Sequence, residues 1–226
     1  MTSRIKSGAG ALAFAGLMFL LYPAIRPWHD ETVEAGARAS MSSGAWVAAH
    51  FFAMLGFIAV PLGLLALRAV LAATRAERLA FLALVTAWIG AGLTLPYYGA
   101  EDFGLHAVAR SATPDLLGVV DDVRFQPVAA TIFGLGLLLL GIGAVLAGVA
   151  VWRSGVLPRF AGVAFAIGFA LFIPQFFLGA APRIAHGVLV AVGCWWLAVA
   201  LWRGSAYRGA AARMENVPPW GSSISA

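Results

Sequence analysis

Six stretches of this chain, near residues 8–25, 44–67, 79–98, 127–151, 160–179 and 184–202, are each close to 20 residues long and almost free of charge. The hydrocarbon core of a bilayer takes about 20 apolar residues of helix to cross. Inside it, every backbone N–H and C=O must be paired within the protein. The pattern predicts an all-α, polytopic membrane protein with six transmembrane helices, arranged as three consecutive hairpins. Composition agrees: 62% of the residues are hydrophobic and only 11% are charged, against about a quarter charged in soluble domains. The first stretch follows Arg4 and Lys6, as the core of a signal peptide would. It runs on into "LYPAIRPWHD" with no small-residue cleavage site, so it reads as a retained helix.

Lysine and arginine near the helix ends set the orientation. One side collects Arg4, Lys6, Arg68, Arg75, Arg78, Arg153, Arg159, Arg203, Arg208 and Arg213; the other has Arg26, Arg38, Arg110, Arg124 and Arg183. Ten against five puts both termini in the cytoplasm and the protein in the plasma (inner) membrane. The acids divide the other way, with only Glu77 and Glu215 inside. The two long outer loops, 26–43 and 99–126, are therefore acidic. The net charge of +5 follows from this topology and is no sign of a nucleic-acid partner. Arginine supplies all but one of the basic residues, a bias that a GC-rich bacterial genome produces. Residues 204–226 mix Arg, Gly and Ser with "VPPW" and read as a flexible cytoplasmic tail. The single cysteine, Cys194, excludes an intrachain disulfide and a thiolate metal cluster, and no metal site is expected.

Prolines recur near the outer ends of the odd-numbered helices, at Pro23, Pro96 and Pro174, and "IGAGLTLPYY" aligns with "IGFALFIPQF". Each proline frees a carbonyl one turn back. In the fourth helix, Gly134, Gly141 and Gly148 recur every seven residues, and Gly136 and Gly143 do so on another face. Glycine lets helix backbones approach where lipid offers no hydrophobic drive to associate, so this helix should have close neighbours on two sides. The Phe165, Phe169, Phe172, Phe176 stripe of the fifth helix reads as packing.

Polar residues of use to chemistry gather at the outer end. His50 in the second helix and His186 in the sixth lie at nearly equal depth beside small-residue stripes, and both should face the bundle interior. The stretch "YYGAEDFGLHAVAR", residues 97–110, is expected to fold as a lid over the bundle mouth. Its Glu101 would turn inward while Asp102, His106 and Arg110 stay wet. Glu101, His50 and His186 are the candidate acid–base groups. Arg124, Gln175 and Arg183 would hold a polar head, and Tyr97, Tyr98, Trp46, Trp88 and His106 would line the site. No HExxH, GxSxG or phosphate-loop motif is present.

The phrase "WRSGVLPRFAGVAFAIGFAL" (152–171) resembles the short inner loop and following helix of bacterial multi-helix membrane proteins of unassigned activity. The resemblance implies fold and membrane location only. Three functions fit these residues. One is a membrane-embedded enzyme of isomerase, cyclase or hydrolase type acting on a lipophilic small molecule. The second is a redox protein with haem held by His50 and His186. The third is a non-catalytic carrier, sensor or assembly subunit. Membrane lipids are the partners common to all three.

Overall fold

The computed structural model describes residues 2–112 and 114–215, with side chains through residue 204. Among the described residues all regular structure is helical. The order is α1 (Thr2–Ile25), α2 (Glu34–Met41), α3 (Gly44–Leu71), α4 (Glu77–Gly99), a π-helical turn (Ala100–Gly104), α5 (Leu105–Arg110), α6 (Leu116–Phe125), α7 (Pro127–Ser154), α8 (Val163–Ala170), α9 (Phe172–Gln175) and α10 (Ala180–Glu215). Of the tail expected from residue 204, positions 216–226 lie outside the described residues.

Five helical stretches are long and apolar enough to cross a membrane: Thr2–Ile25, Gly44–Leu71, Glu77–Arg110, Pro127–Ser154 and Ala180–Gly204. These suggest a multi-pass membrane protein. The fifth predicted helix, 160–179, is instead two short pieces, α8 and α9, with a break at Leu171 (φ −87°, ψ 4°). Pro174 explains the break. It offers no N–H to the carbonyl of Ala170, and its ring crowds that carbonyl. α8 packs between α7 and α10, and α9 lies at the cavity end.

The packing order is α1–α3–α4–α7–α8–α10, closing back on α1. Neighbours in this ring are antiparallel, as the close approaches show. Gly56 of α3 faces Phe19 near the end of α1, and Gly16 of α1 faces Cys194 of α10. The two glycine faces of α7 take different partners. A Cβ on Gly143 would sit 2.8 Å from the Ala87 nitrogen of α4, and one on Gly136 would sit 2.6 Å from Thr94 Oγ1. Gly141 and Gly148 instead approach Phe169 and Gly162, on and just before α8. Gly134, one step further along that second face, meets nothing within 4 Å. The seam between α7 and the α8–α9 segment is thus closed at Gly148 and Gly141 and open at Gly134.

Aromatic rings fill the bundle centre below that opening. Phe19 meets Phe57 at 5.0 Å and Phe169 at 5.5 Å, and Phe57 meets Tyr98 at 5.2 Å and Phe172 at 5.5 Å. The expected phenylalanine stripe is a core stripe through Phe172, while Phe176 lies at the cavity.

The segments at this end of the bundle build a separate cap with its own small core: Ala37 and Met41 of α2, Trp46 of α3, Leu105 and Ala109 of α5, and Leu116 and Val120 of α6. This corrects the lid. Residues 99–110 continue α4 upward through the π turn into α5 and carry cap-core residues. They do not lie flat over the mouth. Leu105 is fully buried while Phe103 is exposed.

The α4–α7 seam gives a direct test. Gly143→Leu should lower the folded yield and the thermal midpoint of detergent-solubilised protein sharply, because backbone faces the added side chain. Gly134→Ala should leave both unchanged. Equal effects would mean the two faces of α7 are not distinct.

Candidate functional site

At the cap end the ring encloses a cavity of about 450 Å³, within the range that small-molecule sites occupy. Its polar wall comes from Tyr22, Arg26, Glu31, His50, Tyr97, Tyr98, Glu101, Arg124 and Arg183. The opposite wall is apolar, formed by Ala130, Phe133, Gly134 and Leu137 of α7 with Ile173, Phe176 and Phe177 at α9. This apolar trough is the open part of the α7 seam. Phe125 and Phe177, 70% and 84% exposed, stand at its rim.

Four charges form one chain across the polar wall. Arg26 Nη2 pairs with Glu31 Oε1 at 2.5 Å. Glu31 Oε2 accepts from Arg124 Nη2 at 2.9 Å. Arg124 then grips Glu101 with two donors, Nε to Oε1 at 2.6 Å and Nη2 to Oε2 at 3.0 Å. All four side chains are at least four-fifths buried. A buried, bidentate arrangement of this kind is costly to break from one side, at about 3–5 kcal/mol, because the remaining charge is stranded. Burial alone would lower the Arg124 pKa, but the Glu101 and Glu31 carboxylates outweigh it and hold the guanidinium above its ordinary value.

The π turn positions Glu101. In that turn the N–H of Leu105 bonds the carbonyl of Ala100, five residues back. In an α-helix it would have taken the carbonyl of Glu101. That carbonyl accepts from Trp46 Nε1 at 2.9 Å instead. Trp46, fully buried, therefore pins the wider turn from α3. It also lies under the guanidinium of Arg26, 4.8 Å from its ring centre.

His50 stacks beside Trp46 with ring centroids 4.2 Å apart. Its Nδ1 lies 2.8 Å from the Trp46 carbonyl. A carbonyl only accepts, so Nδ1 carries the proton and, in the neutral ring, Nε2 is the basic nitrogen. Tyr98 lines the cavity nearby, buried, with its hydroxyl turned to that of Tyr22. The Tyr97 hydroxyl donates to the Arg124 carbonyl at 3.3 Å, and its ring stacks on Phe133 at 3.9 Å. Arg183 donates from Nε to Gln175 Oε1 at 3.0 Å and from Nη2 to the Tyr22 hydroxyl at 3.4 Å.

The structure brings together His50, Glu101, Tyr97, Tyr98, Arg124 and Arg183. Trp46 and Gln175 stand immediately behind them. It does not bring in three of the expected residues. His186 lines a separate void of about 10 Å³, where its Nε2 meets the carbonyl of Gly168 at 2.8 Å. That carbonyl belongs to the last turn of α8, which the break at Leu171 leaves without a continuing helix. His50 and His186 thus line different voids, whose walls share Tyr22 and Arg183. Trp88 points outward, 59% exposed, since Ala87 and Ala91 take the packed face of α4. His106 Nδ1 meets the Met41 carbonyl at 2.7 Å, tying α5 to α2 in the cap.

Asp102 also departs from expectation: it is fully buried, and neither carboxylate oxygen has a hydrogen-bond partner in the structure. The cap core covers it. The sequence reading missed Tyr22, Arg26 and Glu31 as site residues. The rigid "PAIRPW" turn, which places Arg26 against Trp28 at 4.6 Å, was the signal available for them.

No protein-family model, no curated protein and no solved structure matches this chain.

The Trp46 bond to the π turn can be tested alone. Trp46→Phe keeps the ring and removes the donor, which should cost about 1–3 kcal/mol for the unpaired buried carbonyl. Thermal unfolding should report that loss, and amide exchange should quicken over residues 100–105. Unchanged exchange there would mean the turn holds without Trp46.

Proposed function

We propose that this is an integral membrane protein whose cavity holds a lipophilic small molecule by a polar end and an apolar end. The observation that carries this reading is the two-sided wall. Charged and phenolic groups line one side, and a phenylalanine-rich trough that opens between α7 and α9 lines the other. Such a site suits a molecule partitioned in the bilayer, reached sideways through the seam. In this reading the chain makes six crossings, α8 and α9 together serving as a broken fifth. Both termini are cytoplasmic, the cap faces outward, and the membrane is the plasma membrane of a bacterium. The ten-to-five distribution of Lys and Arg supports that orientation.

A second reading, an enzyme using acid–base chemistry of isomerase, cyclase or hydrolase type, is favoured by His50. Its Nδ1 is held on the Trp46 carbonyl, which leaves a basic Nε2 on a residue that lines the cavity. Glu101 suits this role less well than the sequence implied, because Arg124 occupies both its oxygens. In this version Glu101 positions Arg124 and the π turn, and His50 takes the proton.

Lipid extracts of purified wild type and Gly134→Phe should separate the readings. A Cβ at Gly134 meets nothing within 4 Å, and the residue lines the cavity, so the added ring should fill part of the trough. Mass spectrometry should find a lipophilic species enriched in wild type and lost in the variant. If the two extracts are the same, the cavity is not a ligand site. Returning the extracted species to wild type and to His50→Gln should then give conversion only in wild type if the enzyme reading holds.

Orientation is checked by labelling. Asp115→Cys should react with a membrane-impermeant thiol reagent on intact cells, and Arg75→Cys only after lysis, against a background of buried Cys194. The reverse pattern would overturn the orientation.

A further inference from the structure

We infer that the polar end of the cavity is built for an acidic head group, and that its occupant is a single-chain anionic amphiphile seated on Arg183. The inference rests on the ligand-binding reading above and specifies the ligand's charge and shape.

Charge balance is the first argument. Among the ionisable residues on the cavity wall, Arg26, Glu31, Arg124 and Glu101 neutralise one another in the four-membered chain. With His50 uncharged, Arg183 is left over. Among the described residues no carboxylate pairs with it. Its partners are the neutral oxygens of Gln175 and Tyr22 and the faces of Trp28 and Phe176, at 5.0 and 5.1 Å. Arg183 also stands in the first turn of α10, where the helix already presents positive potential. Helix electrostatics therefore work against a cation here, and an anion would satisfy both.

The second argument is a surplus of donors. Tyr98 is 2% exposed, lines the same cavity, and turns its hydroxyl to that of Tyr22. Its ring lies edge-on to Tyr22 at 5.8 Å, and Tyr22 accepts from Arg183. Gln175, on the wall of the adjoining small void, accepts from Arg183 through Oε1, and its NH₂ finds no acceptor. The cavity corner at Arg183 offers guanidinium and hydroxyl donors and only neutral acceptors. Carboxylate or phosphate oxygens supply acceptors with matching charge.

Shape is the third. Besides Arg183, the cavity of about 450 Å³ is lined by Phe176, Phe133, Ile173 and Leu137, an aromatic and aliphatic wall. A hydrocarbon chain laid along that wall would have its head at Arg183 and its tail along α7.

Direct binding in non-ionic detergent tests the inference, using radiolabelled palmitate, hexadecyl phosphate and the neutral hexadecanol. Wild type should bind one or both acids at least about tenfold more tightly than hexadecanol, as one charge-assisted contact supplies. The tighter of the two acids identifies the head. Arg183→Gln should bring the acids down to the hexadecanol level, while Arg183→Lys should keep part of the preference. Gly134→Phe should remove binding of all three. Elution as a single size-exclusion peak confirms that each variant is folded. If hexadecanol binds as well as the acids and Arg183→Gln changes nothing, the acidic-head inference is wrong while the cavity reading stands. If Gly134→Phe leaves binding unchanged, or wild type binds none of the probes, the cavity reading fails and takes this inference with it. Displacement of palmitate by millimolar inorganic phosphate alone would mean a small-anion site and would overturn the single-chain occupant.

Discussion

The site depends on one buried arginine. Arg124, at the end of α6, is held between Glu101 of the π turn and Glu31 of the segment after α1. These three residues come from parts of the chain that no helix joins, and the guanidinium fixes their distances. Arg26 closes the chain from the other side of Glu31. Removing two carboxylates and two guanidinium groups from water costs more than an apolar contact of the same size would. What the wall supplies is geometry, the polar half of the cavity.

Two departures from regular helix make the rest of the cavity. The π turn at Ala100–Gly104 shifts the hydrogen-bond register, delivers the Glu101 carbonyl to Trp46, and turns the Glu101 carboxylate toward Arg124. The break at Leu171, forced by Pro174, leaves α9 only four residues long. A continuous helix packed on α7 through Gly134 would have closed the seam. Because the helix breaks, the seam opens above Gly141 and the trough exists. Both departures sit at the cap end. The glycine-packed remainder of the bundle is regular and rigid by comparison.

Much of this was legible in the sequence. The apolar runs gave the helices, and the seven-residue glycine spacing in α7 gave its two packed faces. The gathering of Glu101, Arg124, Arg183, Tyr97 and Tyr98 followed from their place at helix ends. What was not legible involved backbone irregularity and rotation about helix axes. Depth placed His50 and His186 at one level, but depth says nothing of azimuth, and His186 turns toward the Gly168 carbonyl. Asp102 was read as wet from its neighbours His106 and Arg110. The π turn and the cap core of α2, α5 and α6 bury it instead. The fifth apolar run looks continuous through Pro174 because Pro23, Pro61 and Pro96 fall within the other runs as well. Pro96 remains inside α4, whereas α8 and α9 part.

The central claim is that the open seam between α7 and α9 is a binding path with its charged end at Arg183. Cryo-electron microscopy of the protein in lipid nanodiscs measures this most directly. The account predicts elongated density along Phe133, Phe176 and Leu137, with its head within hydrogen-bond reach of the Arg183 guanidinium. A seam closed by direct packing of α9 on Gly134, with Arg183 turned to a protein carboxylate, would contradict it.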